Sequence, residues 1–477
     1  LEAGGNAVDA AVATSMTLAV TVPHLGGLGG DFFALIREPE GKVWFINGSG
    51  AAPRLLTREL VESRGYEYMP RGPLSPTVPG LVDGLYLMWR KQGSAEWRRL
   101  IMPAAKLASN GFPASRTLAR AVEKNRSLLE RDEGSRKTYL EAPPREGGVF
   151  RLPGLGELLR IIAEDPRSFY EDKPAELMAD YVSRVGGVLS KEDLAGHKGF
   201  EDKPLSAEYK GWKLWETPPN TQGASTLQLL LLMGEEPLPD PESPSRVEQL
   251  LRLAPPLYEW RDRNIGDPEA MRISREELVS PRTISEIKGL RYTGCRGMSR
   301  EGDTTFFTVV DSEGRIVAGI QSLFHHFGSL VTEPVFQVTL NDRALGFTLK
   351  PGRPSTLKPG RRPLHTLSAL IMEHPGGEVF ALGASAGHLR PQLYAWMASN
   401  IMDYGMSLLE AISHPRAAWD PETCILLAER SVVVPSNTVV RLRDTIGVAS
   451  ASSWRSGVAV GATDPRGAGI PSPAIRI

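Results

Sequence analysis

The chain has 477 residues, enough to bury a sizeable core and to form more than one domain. Its formal net charge of −1 carries no basic excess, which excludes the electrostatic signature of a nucleic-acid or acidic-membrane binder and leaves a small neutral or anionic ligand as the compatible partner. Two cysteines, Cys295 and Cys424, exclude a disulfide framework and a cysteine-rich metal site, and no apolar run reaches the roughly 18 residues of a membrane helix.

The 48 glycines and 38 prolines favour many tight turns over long uninterrupted helices. The chain starts at Leu1 in mid-pattern, which reads as a truncated N-terminus. A leader would be invisible, and a cytoplasmic location is the expectation. "GGNAVDAAVATSMTLAV" (4–20) predicts a buried helix, with Asn6 as N-cap and Asp9 near the positive helix end. "PHLGGLGGDFFALI" (23–36) is a glycine-rich turn feeding a strand, with His24 in a structural role. Residues 84–200 read as mostly helical, and 213–233 as a strand, a Pro-Pro turn and an apolar helix. Residues 266–303 are polar and aperiodic and read as a surface linker. Strands are predicted at 304–311, 315–323, 335–340, 366–373 and 378–383, with helices at 391–403 and 406–413 and a last strand and turn over 457–467. Strands in both parts with long helical stretches suggest an α+β, layered sheet-and-helix domain.

The stretch "GDTTFFTVVDSEGRIVAGIQS" (302–322) predicts a hairpin closed by "DSEG". Symmetric closure places Thr304 opposite Gln321, with Ser322 one place further, so Thr304, Thr305, Ser322 and an amide gather at one end. As strand composition alone this is a solvated sheet edge, because threonine suits strands. The eight histidines do not mark out a Ser-His-Asp triad. A threonine has another route to activation. If the chain is cut before it, its own α-amino group, which ordinarily titrates near about pH 8, becomes the base.

Six stretches together resemble the γ-glutamyltransferase family of N-terminal-nucleophile hydrolases. They are "GGNAVDAAVA" (4–13), "PHLGGLGGDFF" (23–33), "TVPGLVDG" (77–84), "PPNTQG" (218–223), "GDTTFFTVVDSEG" (302–314) and "GATDPR" (461–466), in the family's order. The resemblance implies a four-layer αββα sandwich and a precursor that cleaves itself between Asp303 and Thr304. The products would be a large subunit, 1–303, and a small subunit, 304–477, within one globular unit. It implies Thr304 as nucleophile and Ser322 as its hydroxyl partner. Ala386 and Gly387, in "GASAGH" (383–388), would supply backbone N–H groups to the oxyanion. Gly302 and Asp303 belong to processing. Neither a metal nor an organic cofactor is implied; a homo-oligomer is left open.

The chain departs from the transpeptidases at the substrate clamp. Aligned by motif, the family's clamping Arg falls at Ser49, its Asn at Phe324, its clamping Asp at Gly346, and its paired serines at His365 and Thr366. Without those groups, γ-glutamyl specificity loses its physical basis. The replacements resemble the divergent branch that includes oxamate amidohydrolases. The expectation is a small anionic amide, its carboxylate held by Arg343 and His365 beside Thr366, with His325 or Gln321 near the amide. His326 is expected to point away toward packing, and His388 either to cover the site or to cap the following helix. The readings kept beside this one are a γ-glutamyl hydrolase or transferase with a rebuilt clamp, a cephalosporin-acylase-like activity, and an unprocessed binding relative.

Overall fold

The computed structural model describes residues 1–295, 303–467, 469, 471 and 472. Two antiparallel sheets stack face to face. The first runs Phe200–Asp202, Val43–Gly48, Asp31–Arg37, Ile316–Phe324, Asp303–Val310. The second runs Val458–Thr463, Val448–Arg455, Val379–Ser385, Leu370–Glu373, Trp212–Glu216, Leu205–Tyr209.

Strand alternation fixes which face each residue covers. Phe33 and Leu35 join Ile320, Ile371, Val379 and Ala381 in the layer between the sheets. Their neighbours Phe32, Ala34 and Ile36 face helices Ala7–Thr21, Leu81–Gln92 and Trp97–Asn110. On the other side Leu370, Met372, Phe380 and Leu382 pack against helices Gly223–Gly234, Pro244–Asn264 and Arg390–Met402. Three apolar interfaces between four layers of structure make the αββα sandwich. Burial on both faces explains why the strands read as continuous apolar runs.

The first helix forms as its sequence dictates. The Asn6 side chain accepts the Val8 and Asp9 N–H groups at 2.9 and 3.1 Å, and Asp9 accepts the Asn6 N–H at 2.9 Å. Its next donor, the Ala7 N–H, reaches Asp311 Oδ2 at 3.1 Å, so the helix start docks on the hairpin turn.

The hairpin is real, but its register differs from symmetric closure. Gly314 takes a φ of +85°, and the Asp311 N–H bonds the Arg315 carbonyl at 3.1 Å. The turn therefore consumes one more residue, and Thr305, not Thr304, lies opposite Gln321. A second irregularity follows: Asp303 pairs with Phe324, so the single residue Thr304 faces the two-residue step Ser322–Leu323.

Other expectations are corrected. Within 266–295, residues Glu276–Val279 and Pro281–Lys288 are helical, and Leu278, Ile284 and Ile287 enter the core, so this part is not merely a surface linker, while 296–302, with Gly302, lies outside the described residues. The predicted 335–340 strand reduces to Val338–Thr339, and strands at 417–419, 426–429, 440–443 and 448–455 were not anticipated. Cys295 and Cys424, too few for a disulfide framework, nevertheless form a single disulfide with Cα atoms 5.7 Å apart. A spacing of 129 residues carries no signal of this. The flanking segments also touch: the Tyr292 ring packs on Trp419, and its hydroxyl donates to the Pro421 carbonyl. Among the described residues no helix is long and apolar enough to cross a membrane.

Candidate active site

Thr304 is the second residue of Asp303–Val310, an edge strand of the first sheet, and is buried. Its Oγ1 accepts a hydrogen bond of 3.1 Å from Nη2 of Arg390, a fully buried side chain. Ser322, also fully buried, lies on the facing step and accepts the Phe324 N–H at 2.8 Å. Phe324 has a φ of +88°, which is strained for an aromatic residue. The bulge and this turn re-aim the chain after Ser322, carrying His325 away from the sheet.

The Val379–Ser385 strand of the second sheet ends in the Ala386–Gly387 turn, and Gly387 adopts φ +51°, where glycine is unstrained. Gln222 fixes this turn from behind: its Nε2 donates to the Gly387 and Thr366 carbonyls, each at 2.9 Å. Arg261 in turn donates to Gln222 Oε1 at 3.0 Å, and Tyr258 Oη donates to the His388 carbonyl. The His388 ring sits near Arg261 and Glu422, 6.3 Å from the Phe324 ring.

A third cluster lies in the interior beside Thr366. Asp31 Oδ1 accepts the Gly50 N–H at 3.2 Å, and its Oδ2 is 2.9 Å from His365 Nε2 and 3.4 Å from Arg343 Nε. His365 Nδ1 accepts the Leu367 N–H at 3.3 Å, so the tautomer is fixed with the proton on Nε2. Burial, with the positive charges of Arg343 and Arg390, holds His365 well below its ordinary pKa and hence neutral. Burial pushes Asp31 up to about 7 against the pull of Arg343. Burial also lowers Arg343 to about 10, which still leaves it charged at neutral pH. Its guanidinium stacks 4.5 Å over the Phe324 ring and its Nη1 reaches Thr366 Oγ1 at 3.4 Å. Its Nη2 has no hydrogen-bond partner among the described residues.

The structure thus gathers Thr304, Ser322, Thr366 and Arg343 with the Ala386–Gly387 turn, linked through Arg390. Two expected substrate residues are otherwise engaged. Gln321 is fully buried and donates to the Gly26 and Ser15 carbonyls at 2.6 and 3.3 Å, tying the first helix to the sheet. His365 spends both ring nitrogens on Asp31 and the Leu367 backbone. His325 is half-committed: its Nδ1 lies 2.6 Å from Asp342, whose carboxyl burial would raise but which His325 and Arg71 hold below its usual range. His24 and His326 pack edge to face at 5.4 Å. Asp31, Gln222 and Arg390 were missed as functional candidates. Asp31 and Gln222 stand inside quoted motifs, and Arg390 two places after one, but a single sequence does not show that their side chains converge.

The family described as gamma-glutamyltranspeptidase matches residues 1–474. The chain is 32% identical over 433 residues to an oxamate amidohydrolase proenzyme of Klebsiella pneumoniae, covering 87% of this chain and 81% of that one. It is also 32% identical over 428 residues to the glutathione hydrolase-like YwrD proenzyme of Bacillus subtilis, covering 88% and 82%. Among solved structures it is similar to a cephalosporin acylase from Bacillus halodurans, with a TM-score of 0.87 and 28% identity over 98% of this chain and 91% of that one. With this fold and these matches, the chain belongs to the γ-glutamyltranspeptidase family of N-terminal-nucleophile hydrolases, enzymes of amide hydrolysis and acyl transfer.

Proposed function

We propose that the protein is a self-processing threonine amidohydrolase whose substrate is a small amide bearing one carboxylate, oxamate-like in size and charge. In processing, Thr304 Oγ1 attacks the Asp303 carbonyl carbon. The Asp303–Thr304 C–N bond breaks, and the hydroxyl proton ends on the released Thr304 amine. Water then hydrolyses the ester to give a new carboxyl terminus at Asp303 and a free N-terminal threonine. Regions 1–303 and 304–477 become the two subunits of one folded unit. In turnover the freed amine takes the Thr304 hydroxyl proton as Oγ1 attacks the substrate carbonyl. The Ala386 and Gly387 N–H groups receive the oxyanion, a contribution of about 3 kcal/mol per donor. Ammonia leaves and water resolves the acyl-enzyme.

One observation carries the substrate reading. Arg343 is buried, charged and stacked on Phe324, yet its Nη2 has no hydrogen-bond partner among the described residues. A buried guanidinium with an open donor matches a ligand carboxylate. Thr366 Oγ1, 3.4 Å from Arg343 Nη1, links that anchor to the nucleophile side, and His325 flanks it. Gln321 and His365 leave the set. The oxamate amidohydrolase name of one relative supports the same class.

Two measurements test this. A reducing denaturing gel is expected to show two bands with Thr304 as a new N-terminus, and a persistent single band after long incubation overturns the processing reading. Ammonia release from oxamate is expected to exceed chromophore release from a γ-glutamyl anilide, and Arg343→Ala is expected to raise the KM for oxamate about 10-fold or more, the loss of one charged contact. A faster anilide reaction overturns the substrate class.

A further inference from the structure

We infer that Arg390 is a catalytic residue, a permanently charged hydrogen-bond donor to Thr304 Oγ1 in self-cleavage and in turnover. The inference rests on Thr304 being the nucleophile, as proposed above, but not on which amide is the substrate. Arg390 is the first residue of helix Arg390–Met402, three places after Gly387, and is fully buried. Its three nitrogens diverge to three acceptors. Nε donates to the Ala384 carbonyl at 2.9 Å, Nη1 to the Thr366 carbonyl, and Nη2 to Thr304 Oγ1 at 3.1 Å. The rigid guanidinium fork means the first two bonds aim the third. They anchor it to the two segments that frame the site, the end of the Val379–Ser385 strand and the Thr366 loop.

A purely structural brace between two neutral carbonyls needs no charge, and burying a guanidinium is costly. The third contact gives the charge a use. Arginine stays protonated at neutral pH, so it does not compete with the α-amine as base. Negative charge grows on Oγ1 at two moments. During attack, the hydroxyl proton passes to nitrogen while Oγ1 bonds the carbonyl carbon. During breakdown of the ester, water adds to that carbon, the C–Oγ1 bond breaks, and Oγ1 leaves with the bonding pair and regains a proton from the α-ammonium. A charged donor at Oγ1 stabilises both, and helps the second most, because there Oγ1 is the leaving group.

The test uses the full chain with Arg390→Gln, Arg390→Lys and Arg390→Ala, and reads self-cleavage, which needs no added substrate, alongside kcat and KM on whichever of oxamate or the γ-glutamyl anilide is turned over. Removing a donor to charge developing in the transition state lowers the rate about 10²-fold. Arg390→Gln is therefore expected to slow self-cleavage and kcat by that factor, to accumulate acyl-enzyme in a burst, and to show a KM equal to or below that of wild type, as slow deacylation requires. Guanidinium ion at millimolar concentration is expected to restore part of the Arg390→Ala rate, and Arg390→Lys to lie between Gln and wild type. A merely structural role moves neither the burst nor the rescue. If Arg390→Ala does not fold, the burst in Arg390→Gln decides alone. The inference is overturned if Arg390→Gln self-cleaves at the wild-type rate, or if only KM changes. Thr304→Ala separates the two ideas: if it still self-cleaves, the nucleophile assignment itself fails, whereas if it does not and Arg390→Gln matches wild type, only the Arg390 role fails.

Discussion

Asp31 and His365 meet in the interior, Oδ2 to Nε2 at 2.9 Å, and their opposite shifts make a linked prediction. The Asp31 carboxyl is raised to about 7, so its contribution favours the folded state at low pH and is lost as pH rises toward that value. His365 is lowered, so its contribution runs the other way: the unfolded state takes up a proton as pH falls through the ordinary histidine range, and stability falls with it. Between about pH 4 and 6.5 the unfolded pair carries one titrating proton, on histidine, and the folded pair carries one, on the Asp31 carboxyl beside a neutral His365. The two slopes cancel there. Asp31→Asn removes the carboxyl and leaves the depressed histidine alone. Its melting temperature, relative to wild type at each pH, is expected to climb as pH rises from about 5 to 7. A difference flat across that range would mean the pair does not titrate as a unit. No spacing rule joins residues 334 apart, so this pair was not legible in the sequence. The local pattern was, as Asn6 and Asp9 illustrate: a cap is decided by neighbours within one turn.

The hairpin element depends on one buried carboxylate. Asp311 accepts the Ala7 N–H at 3.1 Å, the Glu313 N–H at 3.1 Å and the Arg315 N–H at 2.9 Å, and pairs with Arg315 Nη1 at 3.1 Å. It therefore sets the turn and docks it on the first helix. Asp311→Ala leaves those backbone donors without their acceptor and is expected to cost about 2 kcal/mol in urea unfolding, with Asp311→Asn recovering part of it. A loss below about 0.5 kcal/mol would show that the turn is held by strand pairing alone. The same element marks where sequence reading stops. The turn residues and the apolar strands announced the hairpin, but the left-handed Gly314 shifted the pairing by one. The step at Ser322–Leu323 shifted it again. Those two irregularities, not the alternation, decide what faces Thr304, and a bulge leaves no periodic trace.

At the scale of the molecule, the proposed cut runs through a fold that it cannot separate. Each sheet mixes the two regions: Asp31–Arg37 pairs with Ile316–Phe324, and Trp212–Glu216 pairs with Leu370–Glu373. Native size is therefore expected to be unchanged by processing. The disulfide adds a covalent tie across the same cut. Cys295 lies before Thr304 and Cys424 after it, so the bond closes a loop in the uncut chain and joins two polypeptides in the cut one. The eight residues from 296 to 303 span at most about 28 Å when extended, which bounds how far the new C-terminus travels from Cys295. Disulfides persist in oxidising compartments and are rare in the cytoplasm, so this bond and the expected cytoplasmic location point in opposite directions. The expected result is one full-length band without reductant and two bands with it. Cys424→Ser is expected to give two bands in both lanes. Its processed form is expected to melt at a temperature that falls on dilution, because unfolding then releases two separate chains. Two bands from freshly prepared, thiol-blocked wild type without reductant would show that the bond does not form where the protein is made.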